Sequence, residues 1–458
     1  MRMDNEVSPE VVAPTETAHP TPAVTPADPP RSQVWNTVVS TWLGTTMEYV
    51  DFSLYGLAAG LVFGDLFFPG ASPVIALLAG FSTYAVGFLA RPVGAIFFGR
   101  LGDRHGRKMV LVITIAMMGG STTLIGLLPT YHQAGVLAPA LLVLLRLLQG
   151  FGAGAELSGG VIMLAESAPT RRRGLISSVI ALGSNTGILV SSGIWLLVVR
   201  LPQEDLMSWC WRIPFLSSIL ITAAAVLIRR YMVESPVFTQ LHAAAADGHE
   251  PVDPRPFLQR NRALFTMIGL RIAENGPSYL ALTFVVGYVS KVLAMDKGLA
   301  AEAVFVASVL GFIVIPVTGY LTDRFGRRPV YRFFCIALVL YAFPAFALMD
   351  SRDPVVVYAT VVVGVCLASL GIFAAQAAYG VELFGARARY SRMAMAKEFG
   401  SMISGGSAPV VSSALLASTG HWWPVAAYFA VMAAIGLVTT FFAPETRGRD
   451  LTVAGDAA

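Results

Sequence analysis

Apolar stretches long enough to cross a bilayer, about 20 residues each, recur along this chain from residue 35 onward. Twelve can be counted, centred near residues 50, 86, 119, 150, 187, 221, 276, 311, 340, 366, 405 and 433. Lipid cannot satisfy an open backbone, so each span is predicted to be a helix.

The polar segments between the spans repeat. GRLGDRHGRK begins at Gly99, between the second and third spans, and GYLTDRFGRR begins at Gly319, between the eighth and ninth, 220 residues later. A second pair keeps the same order: Glu166 precedes Arg171 by five residues after the fourth span, and Glu382 precedes Arg387 by five after the tenth. Self-similarity at half the chain length predicts two six-helix halves in parallel repeat. The fold class expected is an all-α polytopic membrane protein with twelve transmembrane helices. Its halves would run over residues 35–231 and 263–445, joined by a polar linker, 232–262, and flanked by tails at 1–34 and 446–458.

Composition agrees. Of the 458 residues, 55% are hydrophobic and 13% charged, against roughly 25% charged in soluble domains, which excludes a soluble helical core. The first 34 residues, rich in Pro, Thr and Ala, predict a disordered tail with no cleaved signal peptide. Cys210, Cys335 and Cys366 lie far apart and outside any ligand spacing, so neither a disulfide nor a metal is expected. No HExxH, GxSxG or two-metal carboxylate set suggests an enzyme, and no cofactor is called for. Loops on the side of the termini hold 22 of the 32 Lys and Arg, counting Lys397 among them, whereas the opposite loops hold five. By the positive-inside rule this predicts both termini in the cytoplasm of a cell bounded by the membrane the chain spans. The net charge of +4 is then a topology signal and no sign of nucleic acid.

Charges inside the apolar blocks carry the candidate chemistry. Glu48, Asp51, Glu156 and Glu274 are four acids against two cations, Arg146 and Arg271. A charge at a helix centre costs roughly 2.5–3.5 kcal/mol on the insertion scale, so such groups face the bundle interior and mark a pathway. Two acids in excess are stable there only when protonated or paired with substrate, which predicts proton coupling through Glu48, Asp51, Arg146 and Glu156. Glu48 and Asp51 share a helical face and would titrate as a pair; structural pairing with Arg146 is the alternative. Arg271 is a candidate fork for a substrate carboxylate. Tyr55, Gln149, Asn185, Glu274, Asn275, Tyr279, Gln376 and Tyr379 are candidate lining, with helix-packing hydrogen bonds as the alternative role. In the repeated loops, Gly99, Asp103, Arg104, Gly106 and Arg107, with Gly319, Asp323, Arg324, Gly326 and Arg327, predict a latch that holds one gating state. Glu166 with Arg171 to Arg173, and Glu382 with Arg387 and Arg389, would extend each network. The histidines, such as His105 and His132, fall in loops or tails. Pro409 after GSMISGGSA makes the eleventh span a hinge candidate.

These residues resemble a known group. GRLGDRHGRK is similar to the G-x-L-x-D-R-x-G-R-[KR] loop of the major facilitator superfamily, and RLLQGFGAGAELSGG (146–160) to its R-x-x-Q-G-x-x-x-G motif. Within it, GTTMEYVDFSLYG (44–56), ARPVGAIFFGRLGDRHGRK (90–108), WRIPF (211–215) and ESPVF (234–238) resemble the metabolite:H+ symporter family. That resemblance implies proton-coupled import of organic acids, shikimate, proline or betaine by alternating access, with a monomer, a small-molecule substrate, protons and lipid as partners. Tyr49 and Val50 stand where that family usually has Trp and Tyr, so the substrate does not carry over. PETRG (444–448) also fits sugar porters, whereas the fifth span, GSNTGILVSSG, lacks the proline of drug antiporters. Proton-driven export and a non-transporting receptor of the same fold remain alternatives.

Overall fold

In the computed structural model every long apolar block is a helix. The structure describes residues 31–105, 107–154, 157–230, 257–386, 389–453 and 455–457. Glu156, Gly106 and Arg387 lie outside the described residues, as do the side chains of Gly99, Asp103, Arg104 and Arg107. Twelve helices cross the fold among the described residues: α1 (Arg31–Leu61), α2 (Pro73–His105), α3 (Arg107–Ile125), α4 (Leu137–Ala153, resuming as Leu157–Ser167), α5 (Thr170–Val199) and α6 (Ile213–Arg230) form one half. The other half is α7 (Arg262–Tyr279, running on to Val292), α8 (Lys297–Phe325), α9 (Arg327–Asp350), α10 (Pro354–Glu382), α11 (Arg389–Thr419) and α12 (Trp423–Phe442). Seven of these described helices are long and apolar enough to cross a membrane on length and composition alone. α1 and α7 are not among them, because they carry the buried charges.

Local chemistry sets the ends. Asp353 caps α10, accepting from the amides of Val355 and Val356 at 2.9 and 3.0 Å, and Pro354 follows at the first helical position. Gly420 closes α11 in the left-handed region at φ 69°. Gly326 joins α8 to α9 at φ 104°, a conformation that favours glycine, and an added Cβ there would run into the Glu445 carboxylate.

The halves meet along two related seams, α5 against α8 and α2 against α11, with α1 facing α7 between them. At the end away from the termini α1 and α7 cross at Gly60 and Gly287, where an added Cβ on Gly60 would come within 3.2 Å of the Gly287 nitrogen. Within the first half, α2 and α4 touch backbone to backbone at Gly87 and Gly150. α7, α10 and α11 each contain a widened π turn, at Leu280–Phe284, Cys366–Gly371 and Met402–Gly406. Such turns weaken the regular backbone ladder and recur at functional sites. The one in α11 lies just before Pro409, at the expected hinge.

Candidate functional site

A cavity lies midway along the seam. α1 contributes Tyr49, Phe52 and Ser53, α2 Tyr84, α7 Glu274, Asn275 and Tyr279, and α10 Ser369 and Phe373. Its wall is thus aromatic, with one carboxylate and a few hydroxyls and amides. Tyr84, Phe88 and Tyr279 pack ring against ring across the seam, with Phe88 and Tyr279 edge to face at 5.3 Å.

Of the expected lining, Glu274, Asn275 and Tyr279 reach the cavity. The others are spent on packing or lie one layer away. Tyr55 donates to Thr83 at 2.7 Å. Gln149 donates to Thr122 at 2.7 Å. Asn185 donates to the Ser308 carbonyl at 2.8 Å, tying α5 to α8. Tyr379 donates to the Pro444 carbonyl at 2.9 Å, at the face of the termini. Gln376 stands behind Arg271, 3.4 Å from its guanidinium. Arg271 itself pairs with Glu274 and donates to Ser401 at 3.1 Å, and Ser401 also accepts from Asn275 at 2.6 Å.

The alternative role of the helix-one acids, pairing with Arg146, is not what the structure has. Arg146 lies over the rings of Phe52, Tyr55 and Tyr84 at 5.0, 4.3 and 4.6 Å and donates to Gln149. The cation beside Glu48 is Arg91 of α2, at 2.9 Å. Arg91 also faces Glu398 of α11 at 3.4 Å, so one guanidinium joins carboxylates from both halves. Asp51 turns away from this group toward α6 and accepts from Ser218 at 2.6 Å. Glu48 and Asp51 therefore engage different neighbours, and α1 meets the cavity through Tyr49, Phe52 and Ser53.

The count of acids and bases is corrected with it. Lys397 and Glu398 are each 3% exposed, as is Arg91. Lys397 is thus buried on α11 and not in a loop, and Arg91 and Glu398 are buried charges beyond the six expected. Among the described residues the buried central set is Glu48, Asp51, Glu274 and Glu398 with Arg91, Arg146, Arg271 and Lys397, four of each sign. No excess of two acids survives. One signal was available: Arg91 is a lone cation in the apolar run FLARPVGAIFF, eight residues before the basic loop.

At the face of the termini the gating residues pair crosswise. Arg173 of α5 reaches Glu382 of α10 at 3.1 Å, and Arg389 of α11 reaches Glu166 of α4 at 2.6 Å. The expected pairs within each half are thus exchanged between halves. Arg327 grips Glu382 with two nitrogens at 3.0 Å each and Asp323 at 2.7 Å. Asp323 in turn accepts from the amides of Gly174 and Leu175 at 2.8 and 2.9 Å, in the other half. Gly319 packs against Gly174 and Ser178, so an added side chain would wedge this contact. Arg171 and Arg324 are exposed. At the opposite face Lys291 of α7 pairs with Asp65 beyond α1. Charged contacts thus join the halves at both faces, on either side of the cavity.

Two helical halves around a central cavity, tied by charge at both faces, are the architecture of a membrane transporter. The family model of the Major Facilitator Superfamily matches residues 41–403 and 282–456, and this chain belongs to that superfamily. It is 41% identical over 413 residues to the putative transporter YdfJ of Escherichia coli (strain K12), covering 89% of this chain and 96% of that one. It is 34% identical to the shikimate transporter of the same organism (91% and 96% covered) and 35% identical to the proline/betaine transporter of Salmonella typhimurium (strain LT2) (91% and 84% covered). A crystal structure of a D-xylose-proton symporter superposes with a TM-score of 0.69 at 18% identity, over 92% of this chain and all of that one, and shows the shared fold.

Proposed function

We propose that this protein is a proton-coupled symporter that imports a small organic acid or zwitterionic metabolite across the cytoplasmic membrane, with both termini inside. The observation that carries this reading is Arg91, held between Glu48 of its own half and Glu398 of the other, beside the Arg271–Glu274 pair at the cavity. Buried ion pairs contribute little to stability on balance. Glu48, Glu274 and Glu398 with Arg91, Arg271 and Lys397, in a seam that must part and re-form, are suited to exchanging partners as protons and substrate come and go. The aromatic wall, the Asn275 amide and the Glu274–Arg271 pair suit a compact molecule with a carboxylate and an apolar or cationic body. The names of the relatives, shikimate and proline/betaine transporters, point to the same class of substrate.

The test is uptake by the purified protein in proteoliposomes with radiolabelled shikimate, proline and betaine. An outwardly acidic pH gradient should drive at least one of them above its equilibrium level, and a protonophore should abolish the gain. Accumulation unaffected by the protonophore would remove proton coupling. Accumulation only with the gradient reversed would make the protein an exporter, and binding without flux would make it a receptor.

A further inference from the structure

Lys397 stands out in the buried charge set. It lies on α11 beside Glu398, 3% exposed, and its Nζ has no hydrogen-bond partner among the described residues. Every other member of the set is engaged. Glu48 and Glu398 face Arg91, Glu274 pairs with Arg271, Asp51 accepts from Ser218, and Arg146 lies on aromatic rings and donates to Gln149. Arg271, Glu48, Glu398 and Arg91 are the charges that act on Lys397 from α7, α1, α11 and α2, and Lys397 acts on Glu274. On the other helices packed against α11, Glu166 of α4 is taken by Arg389 and Glu382 of α10 by Arg173 and Arg327. Glu156 of α4 lies outside the described residues.

Arginine does not release its proton in a protein, whereas a buried lysine readily does. An ammonium without an acceptor is costly away from water, so a neutral amine suits the arrangement seen here. Charge bookkeeping over the described groups then becomes informative. With Lys397 neutral, three arginines face four carboxylates, one negative charge in excess. Adding one proton and one substrate carboxylate together restores that same excess. A proton alone removes it, and a carboxylate alone doubles it. The empty form and the form loaded with both therefore close around equal buried charge.

We propose that Lys397 carries the proton that accompanies a substrate carboxylate, neutral in the empty closed carrier and an ammonium in the loaded one. This rests on the symport reading and assigns the proton to a base on α11 in place of the acids of α1. The amine takes a proton from the outer aqueous phase while the seam is open outward and gives it to the inner phase after the face of the termini opens. When charged without substrate, it competes with Arg91 for Glu48 and Glu398, which opposes closure of the seam. A substrate carboxylate in the cavity compensates the added charge, so proton and carboxylate each favour the binding of the other.

Two measurements test this, one of them free of substrate. Purified wild-type protein in detergent is titrated between about pH 9 and pH 5 and its proton uptake counted. Lys397→Met and Lys397→Gln should each bind one proton fewer, and an unchanged count in both, with folding verified by their size-exclusion profiles, overturns the proposal. In proteoliposomes with shikimate as the probe, Lys397→Met should lose at least tenfold both in gradient-driven accumulation and in exchange of internal for external shikimate, because its loaded form holds the doubled excess. Lys397→Arg, permanently charged, should exchange but fail in net uptake, because its empty form cannot close. Accumulation at the wild-type level in either variant overturns the proposal. Failure of the wild type itself to accumulate shikimate would count against the substrate reading alone, and the proton count would still decide Lys397.

Discussion

At the scale of single residues, Arg91 is the one whose loss would be felt most widely. Removing one partner of a buried pair costs about 3–5 kcal/mol, because the other charge is stranded, and Arg91 has two partners, Glu48 and Glu398. Arg91→Met should lower the thermal midpoint of the purified protein sharply, and the double variant Arg91→Met, Glu398→Gln should recover part of the loss. Strictly additive losses in that cycle would show that the two side chains are not coupled. The sequence made the acids of α1 and the Arg271–Glu274 spacing legible, since a charge in an apolar block is conspicuous. It hid the partners, because pairing between helices obeys no spacing rule. Lys397 was hidden for a different reason: the apolar part of α11 begins only near Phe399, yet the helix starts at Arg389. α11 is accordingly among the least hydrophobic of the candidate spans, with a mean hydropathy of 1.2.

At the scale of elements, glycines decide how closely helices approach. On Gly150 an added Cβ would overlap the backbone carbonyl of Gly87, and on Gly87 it would come within 2.7 Å of Arg146 Nε. The α2–α4 contact thus also makes the slot that holds Arg146. Overpacking typically costs 1–3 kcal/mol, and here the obstacle is backbone, which cannot turn aside. Gly150→Ala should therefore lower the thermal midpoint and transport together, whereas Gly120→Ala, with nothing within 4 Å of the new carbon, should leave the midpoint within a degree or two. Equal effects of the two substitutions would contradict this packing. The R-x-x-Q-G spacing of α4 marked Gly150 in the sequence, but its opposite number on α2 has no motif and emerges only from the crossing.

At the scale of the whole molecule, the charges at the face of the termini act as a clasp between halves. Asp323 is its centre on one side, holding Arg327 of its own half and the Gly174 and Leu175 amides of the other. Asp323→Ala removes both attachments and should favour opening at that face. Spin labels at the exposed positions Arg172 and Arg324 should then show a longer-distance population that is minor in the wild type. An unchanged distance distribution would mean that Asp323 does not hold the halves together. What the sequence determined by itself is what depends on local order: twelve apolar spans of bilayer length, their charge asymmetry, and a repeat that makes two halves. Those follow from the solvation of each segment separately. The tertiary structure decided which charge meets which: Arg173 with Glu382 and Arg389 with Glu166 across the halves, Arg91 between two carboxylates, and Lys397 without a hydrogen-bond partner among the described residues. These contacts join residues far apart in the chain, and a few ångströms of helix rotation suffice to exchange them.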